Sequence, residues 1–327
     1  MAANPKTPVE PGSSLERYHV YHAEAHVLSG NLKHPVNQSI EPQARVVFEK
    51  TRLDGHITQS VEATTLEGLI SFKAGHSHAS GSKIAKKDLW GKDHSGWVTL
   101  STSVLEGLNV FEVITADRVV AQVSTEHAME HGHVPKVTFL GTHFENLRVG
   151  GYPVEVELDL AICGAKPERD QPYLKDRGFL DRVRHQLAEI VGAKGLPKDL
   201  GQQYDSKIAY INDLKKHASG RAKGKQNGYS KLQCSLVKSI GPIPIPGVKT
   251  FGNIIFIPDF GTVSLAEVEV GIEPGYDGSS GKTGAGSRPE PRDSNYFTLN
   301  MLNMQLGCIG GGAVKVGTAT VNGHTYP

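Results

Sequence analysis

The chain reads as a mainly-β protein, one sandwich-like sheet domain or two, with a helical hairpin inserted. Three observations carry that reading. Val154 to Ile162 alternates apolar even positions with acidic odd positions up to Asp159, the pattern of a strand with one face on a core and one in water. Glycine supplies 37 of 327 residues in a chain rich in Val and Thr, which points to many tight turns between short strands. One phrase also occurs twice, as Leu66-Glu67-Gly68-Leu69-Ile70-Ser71-Phe72 and as Leu105-Glu106-Gly107-Leu108-Asn109-Val110-Phe111. A looser echo links Val149-Gly150-Gly151-Tyr152-Pro153 to Val321-Asn322-Gly323-His324-Thr325-Tyr326-Pro327. Such echoes predict a supersecondary unit used more than once.

In chain order, residues 1–14 read as a flexible tail and 15–167 as a β-rich region. Gly150-Gly151 marks a hairpin turn, and Val119 to Val123 and Val137 to Phe139 are further strand candidates. The period then changes. Phe179, Leu180, Val183, Leu187, Ile190 and Val191 recur at helical steps, as do Leu200, Tyr204, Ile208, Ile211 and Leu214. Gly192 and Gly195-Leu196-Pro197 separate the two runs. A helical hairpin over 172–217 with a following basic loop therefore forms an insertion at 168–234. The basic residues Lys215, Lys216, Arg221, Lys223, Lys225 and Lys231 read as a solvated loop.

Strands resume at 235–327 and complete the same or a second sandwich. Ala266 to Ile272 alternates, and 275–292 is a Gly/Ser/Pro loop. Phe297, Leu299 and Met301 share one parity, whereas Leu302, Met304, Leu306 and Cys308 share the other. That phase change predicts a β-bulge or bend near Met301.

Composition narrows the function classes. Hydrophobic content of 38%, charged content of 21% and a net charge of +1 fit a globular chain and argue against general nucleic-acid binding, which needs a basic surface. No apolar run reaches the roughly 18 residues of a membrane span. The N-terminus lacks the apolar core of a secretory signal, so the chain reads as cytoplasmic as written; an exported protein trimmed of its signal would read the same. Cys163, Cys234 and Cys308 make neither a disulfide framework nor a zinc knuckle. They read as buried free thiols, with a Cys163–Cys234 bridge as the alternative in an exported protein.

Histidine is concentrated in the N-terminal half. His22, Glu24 and His26 alternate, so on a strand they share one face at about 7 Å intervals. His76 and His78 form a second same-face pair, and His127, His131 and His133 a looser cluster. Imidazole and carboxylate in that arrangement are ligand types for zinc, iron or copper. The same rows are also what an exposed polar strand face looks like. Asp117, Arg118, Glu126 and His127 form a further polar group along one strand. Trp90, Trp97 and Tyr152 are candidate stacking platforms for a glycan. Gly278-Ser279-Ser280-Gly281-Lys282-Thr283 resembles the end of a phosphate loop, but Tyr276 stands where its first glycine belongs.

Several strings resemble those of a family of uncharacterised bacterial β-rich proteins: Thr115 to Ala121, Phe139-Leu140-Gly141-Thr142 with Asn146-Leu147-Arg148, Cys234 to Val237, Pro258 to Gly261, and Leu306 to Gly310. A fainter likeness is to bacterial surface proteins of the choice-of-anchor P type. The resemblance implies a β-rich scaffold and no activity. The expected function is a non-catalytic binding or self-assembly module of unknown partner, possible as a homo-oligomer through edge strands near Val263 to Ile272. The alternative is a metal-dependent enzyme using the histidine-rich half, with metal-activated water or bound oxygen.

Overall fold

The computed structural model describes residues 17–34, 36–85, 95–129, 132–167, 170–218, 230–273, 294–307 and 311–326. The expected tail at 1–14, Trp90, His131, Arg221, Lys223, Lys225, Cys308 and the 275–292 loop lie outside them.

The chain opens with β1 (Tyr18–Leu32), β2 (Gln38–Gln43), β3 (Val46–Thr51), β4 (Gly55–Val61), β5 (Thr64–Leu66) and β6 (Ile70–Phe72). Three long strands follow, β7 (Ala74–Ile84), β8 (Gly96–Val110) and β9 (Ile114–Ala128). Shorter ones come next: β10 (Lys136–Thr138), β11 (His143–Glu145), β12 (Arg148–Val149), β13 (Tyr152–Pro153) and β14 (Val156–Leu158). The helices α1 (Arg177–Val191) and α2 (Lys198–Ala218) interrupt the strands. After them run β15 (Ser230–Ser235), β16 (Val237–Ile240), β17 (Lys249–Phe251), β18 (Ile254–Ile257), β19 (Gly261–Glu273), β20 (Ser294–Leu306), β21 (Gly312–Val321) and β22 (His324–Tyr326).

Among the described residues two large antiparallel sheets result, with β14 and β16 forming a separate two-stranded one. One runs β17-β18-β19-β20-β21-β1, with β15 on β19, β2 and β3 on β1, and β22 continuing along the first residues of β1. The other runs β13-β12-β9-β8, with β7 and then β4 beyond one half of β8 and β6 and β5 beyond the other. Because β1 pairs with β21, strands from both ends of the chain share one sheet.

Small residues let the sheets approach closely. Tyr21, Ala23, Ala25 and Val27 of β1 are buried against Gly75, Ser77, Ala79 and Gly81 of β7 and Ser101 and Ser103 of β8. A Cβ on Gly75 would sit 2.8 Å from Val27, and one on Gly81 would enter the Tyr21 ring. Ser101 Oγ donates to the Glu24 carbonyl at 2.6 Å, and Ser103 Oγ to the His26 carbonyl at 2.9 Å. These hydroxyls are satisfied by the backbone of the facing sheet, which offsets the cost of burying them.

The phase change at Met301 is present and crosses the sheet. The β19–β20 and β20–β21 registers place Ala266, Met301 and Gly317 in one row, with φ of 45° at Ala266 and 65° at Gly317. Met301 and Leu302 are both fully buried, as are Val27 and Leu28 on β1. The parity thus shifts along the whole row, as a bend that keeps the ladder register, while the same side of the sheet stays inward.

The repeated phrase takes two different structures. Glu67 and Gly68, with φ of 50° and 69°, lie with Leu69 in the three-residue turn between β5 and β6. Glu106 instead stays paired with Arg118 inside β8, and Gly107 adopts a positive φ without shifting the β8–β9 register. The second echo also diverges: β12 and β13 form a hairpin, whereas β22 leaves β21 and pairs with β1. Each expected unit is therefore a shared string, not a shared fold.

Two strand expectations need correction. Val154 to Ile162 contributes only β14, because the Asp159 carboxylate accepts from Ala161 N–H and turns the chain. The segment Val263 to Ile272 is no edge, since β19 is hydrogen-bonded on both sides. The helices form as expected. Asp176 caps α1 by accepting from Phe179 N–H at 2.7 Å, and Phe179, Leu180, Val183, Leu187 and Ile190 are buried. Tyr173 ties the hairpin to the sheets, its ring edge-on to Phe179 and Phe297 and its hydroxyl donating to the Pro135 carbonyl. Lys215 and Lys216 belong to the last turn of α2, where they pair with Asp181 and Asp213, and Lys231 pairs with Glu269.

The tight seam sets an expected order of mutational cost. Gly81→Ala should destabilise by about 2 kcal/mol or more through overpacking against Tyr21. Ser101→Ala, which loses one hydrogen bond, should cost about 1 kcal/mol. Urea unfolding of the two variants checks the order; a Gly81→Ala protein as stable as the parent would refute the close approach.

Candidate functional site

The metal-ligand candidates do not converge. His22, Glu24 and His26 do share one face of β1, but it is the outer face, because Tyr21, Ala23, Ala25 and Val27 take the inner one. His76 and His78 occupy the outer face of β7, whose inner face is Gly75, Ser77, Ala79 and Gly81. The two rows therefore lie on opposite sides of the sandwich. Local partners engage them as well. Glu24 pairs with Arg45 at 2.8 Å, His26 Nε2 meets Ser29 Oγ at 2.9 Å, and His76 Nδ1 meets Ser60 Oγ at 3.0 Å. His78 stacks with His56. Among the described residues no group of three His, Cys, Asp or Glu is placed to hold a metal ion.

The polar group on β9 separates too. Asp117 accepts from Asn146, Arg118 lies near Glu106 and Glu145 on the surface, and Glu126 stands opposite Lys136. His127 points into the core. Trp97 is no exposed stacking platform: it is buried, with its ring stacked on His19 at 5.6 Å. Cys163 and Cys234 are free and buried rather than bridged. Burial pushes the Cys163 thiol well up and the Cys234 thiol up to about 12, which keeps both protonated.

One end of the sandwich does gather polar and aromatic groups. His19 packs against Trp97, Tyr21 and His127, the last with ring centroids 4.5 Å apart. Gly323 makes this possible, since a Cβ there would sit 2.6 Å from His19 Nε2. His19 Nδ1 meets Thr325 Oγ1 at 3.0 Å, and His133 Nδ1 meets the Thr325 carbonyl at 2.9 Å. Asp170 accepts from the backbone N–H groups of His133 and Val134, which fixes the loop after β9. Among the described residues, neither ring nitrogen of His127 nor Oγ1 of Thr99 or Thr125 has a hydrogen-bond partner. Burial, with a smaller contribution from His324, pushes His19 down to about 3. His127 is held well below the usual imidazole range, by burial first and then by its histidine neighbours. Both rings are neutral near pH 7.

Above this core lies a cleft of about 330 Å³ lined by Arg17, Tyr18, His19, Arg52, Asp54, Lys83 and Trp97. Its walls are fixed by specific contacts. The Arg17 guanidinium donates to the carbonyls of Met129 and Gly132. Arg52 lies 3.7 Å over the Tyr18 ring, which stacks with its cross-strand partner Tyr326. Asp54 accepts from the Tyr21 hydroxyl at 2.8 Å and from Lys83 N–H at 2.9 Å, joining the β3–β4 turn to β1 and β7. Burial and Asp54 push the Tyr21 hydroxyl upward, so it remains a donor.

None of the cleft residues except Trp97 stood out in the sequence. Their numbers span the start of β1, the β3–β4 turn, the end of β7 and the start of β8, so no local spacing joins them. The looser echo, which includes Tyr326, touched the right segment for an unrelated reason.

Residues 19–271 match the family described as domain of unknown function DUF8256, and the chain belongs to that family. Comparison with curated proteins and with solved structures found no match. These comparisons show no link to the choice-of-anchor P proteins.

The buried histidines fix the sign of an acid response. His19 and His26, the latter pushed down to about 4 mainly by burial, bind protons more readily in the unfolded chain than in the fold. Stability is thus fully present above the unfolded value near 6.5 and is lost as pH falls toward the folded values. Each such group contributes a slope of up to about 1.4 kcal/mol per pH unit. Urea melts between pH 7.5 and 4.5 should show a flat region and then this fall. His127→Leu should make the fall shallower at no large cost at pH 7.5, because it removes an unsatisfied polar ring. An unchanged slope would place the proton uptake elsewhere.

Proposed function

We propose that the protein is a non-catalytic binding module whose ligand occupies the cleft at the end of the sandwich. The cleft itself carries this reading. It is open to solvent and large enough for a small organic molecule, and hydrogen bonds hold its walls before any ligand arrives. The depression at the helix-bearing end, lined by Gln186, Tyr204, Lys207 and Glu267, is only about 10 Å³. The one imidazole lining the cleft is buried, neutral and engaged with Thr325, so it is not poised to move a proton. Asp54 is likewise committed to Tyr21 and Lys83.

Self-assembly is a second reading, favoured by β4. Among the described residues β4 pairs only with β7, and His56 to Ser60 are exposed. The stretch Gly55 to Val61 holds no Lys, Asp, Glu or Pro, the residues that usually guard a free edge.

The two readings separate by experiment. Titrating 15N-labelled protein with a library of small fragments should shift the amides of Tyr18, His19 and Lys83 and the Trp97 indole; hits that avoid them all would sink the cleft reading. Assembly through β4 should appear as a concentration-dependent dimer in analytical ultracentrifugation that Thr58→Lys abolishes. A monomer at all concentrations would remove that reading.

A further inference from the structure

The charges of the cleft name a ligand class. Arg17, Arg52 and Lys83 line it against the single carboxylate of Asp54. Both Asp54 oxygens are already occupied, one by the Tyr21 hydroxyl and the other by Lys83 N–H. Its role is to brace the wall, as the Arg17 guanidinium does through the carbonyls of Met129 and Gly132.

Two of the three cations are available. Among the described residues neither the Arg52 guanidinium nor the Lys83 ammonium has an ion-pair partner; the surface pairs of this protein lie elsewhere. Arg52 is also preorganised. Its guanidinium lies over Tyr18, and the Tyr18–Tyr326 stack holds that ring in turn. Such packing leaves the N–H edges of the guanidinium free for in-plane acceptors, the geometry that suits a phosphate or carboxylate. Lys83 stands directly across from Trp97 in the β7–β8 ladder, so a point charge sits beside the aromatic floor of the cleft.

Resting on the binding-module reading, we infer that this cleft takes a small organic phosphomonoester, with its phosphate between Arg52 and Lys83 and its organic body toward Trp97 and His19. A phosphomonoester carries a charge of about −1.5 to −2 near neutral pH, which matches the two available cations, Arg52 and Lys83. A carboxylate supplies half of that. A neutral ligand would leave both cations uncompensated. The cleft volume admits a ring-sized body beside the phosphate.

The test is a titration of 15N-labelled protein with phenyl phosphate, benzoate, phenol and inorganic phosphate at low ionic strength. Phenyl phosphate should shift the amides around Tyr18, Arg52 and Lys83 and bind at least tenfold tighter than benzoate or phenol. Inorganic phosphate should bind the same residues more weakly, for want of the ring. Arg52→Gln and Lys83→Gln, both at exposed positions, should each weaken phenyl phosphate at least fivefold and leave the Tm unchanged. Benzoate or phenol binding the cleft as tightly as phenyl phosphate, or indifference to both substitutions, would overturn the phosphate assignment and leave the cleft as a binding site. Cleft amides unmoved by every probe would overturn the assignment and the binding-module reading together.

Discussion

The constraint on which this fold turns is the closeness of β1 to β7 and β8. A sandwich core normally interdigitates large side chains from two sheets about 10 Å apart. Here β1 brings alanines and one tyrosine to a surface of glycine, serine and alanine. The serine hydroxyls reach the β1 carbonyls themselves. Those carbonyls lie within a strand paired on both sides, so the bonds lock the register of one sheet over the other as well as the distance between them. Tyr21 is the largest group admitted, and Gly81 is what admits it. Its hydroxyl then sets the position of Asp54, and through Asp54 that of the β3–β4 turn and of Lys83. The cleft walls are thus a consequence of the core packing.

Burial at the same end produces the chemistry of the histidines. His19 and His127 occupy inner-face positions in line with Tyr21 and Thr125, so they meet the core whatever their polarity. Their neutrality follows first from desolvation and then from neighbouring imidazoles, and the side chain that meets His19 Nδ1 is the Thr325 hydroxyl. The rings at His22 and His26, one residue out of phase, reach the opposite face and find Ser29 and a surface ion pair for company. Parity on one strand therefore separates two kinds of histidine that composition alone lumps together.

That parity was legible for β1: the alternation of His22, Glu24 and His26 gave their common face correctly. The mainly-β class, the helical hairpin and the phase change at Met301 were legible too, because each is a periodicity carried by neighbouring residues. What failed were readings that needed the partner strand. The alternation at Val154 to Ile162 carried no sign that Asp159 would turn the chain. The repeated Leu-Glu-Gly-Leu string was compatible with a hairpin turn and with a continuous strand, and only pairing with β9 keeps Gly107 within β8. The site was the least legible part. Tyr18, Arg52, Lys83 and Trp97 come together through the crossing of two sheets, and a cation on a turn looks the same in sequence whether or not it faces a cleft.

The family match and the topology together show how far the site depends on the whole chain. The matched residues run from β1 to β19, yet those strands do not touch; β20 and β21 lie between them and close the sheet. β22 then lies along the start of β1 and supplies Thr325 to His19, Tyr326 to Tyr18 and the glycine at 323 that leaves room for the His19 ring. The matched segment provides His19, Arg52, Asp54, Lys83 and Trp97, and the strand β22 beyond it holds Thr325 and Tyr326, which contact His19 and Tyr18. The preorganised guanidinium at Arg52 is a property of neither part alone. It exists because Tyr18 is clamped by a strand that enters the sheet more than two hundred and fifty residues later in the chain.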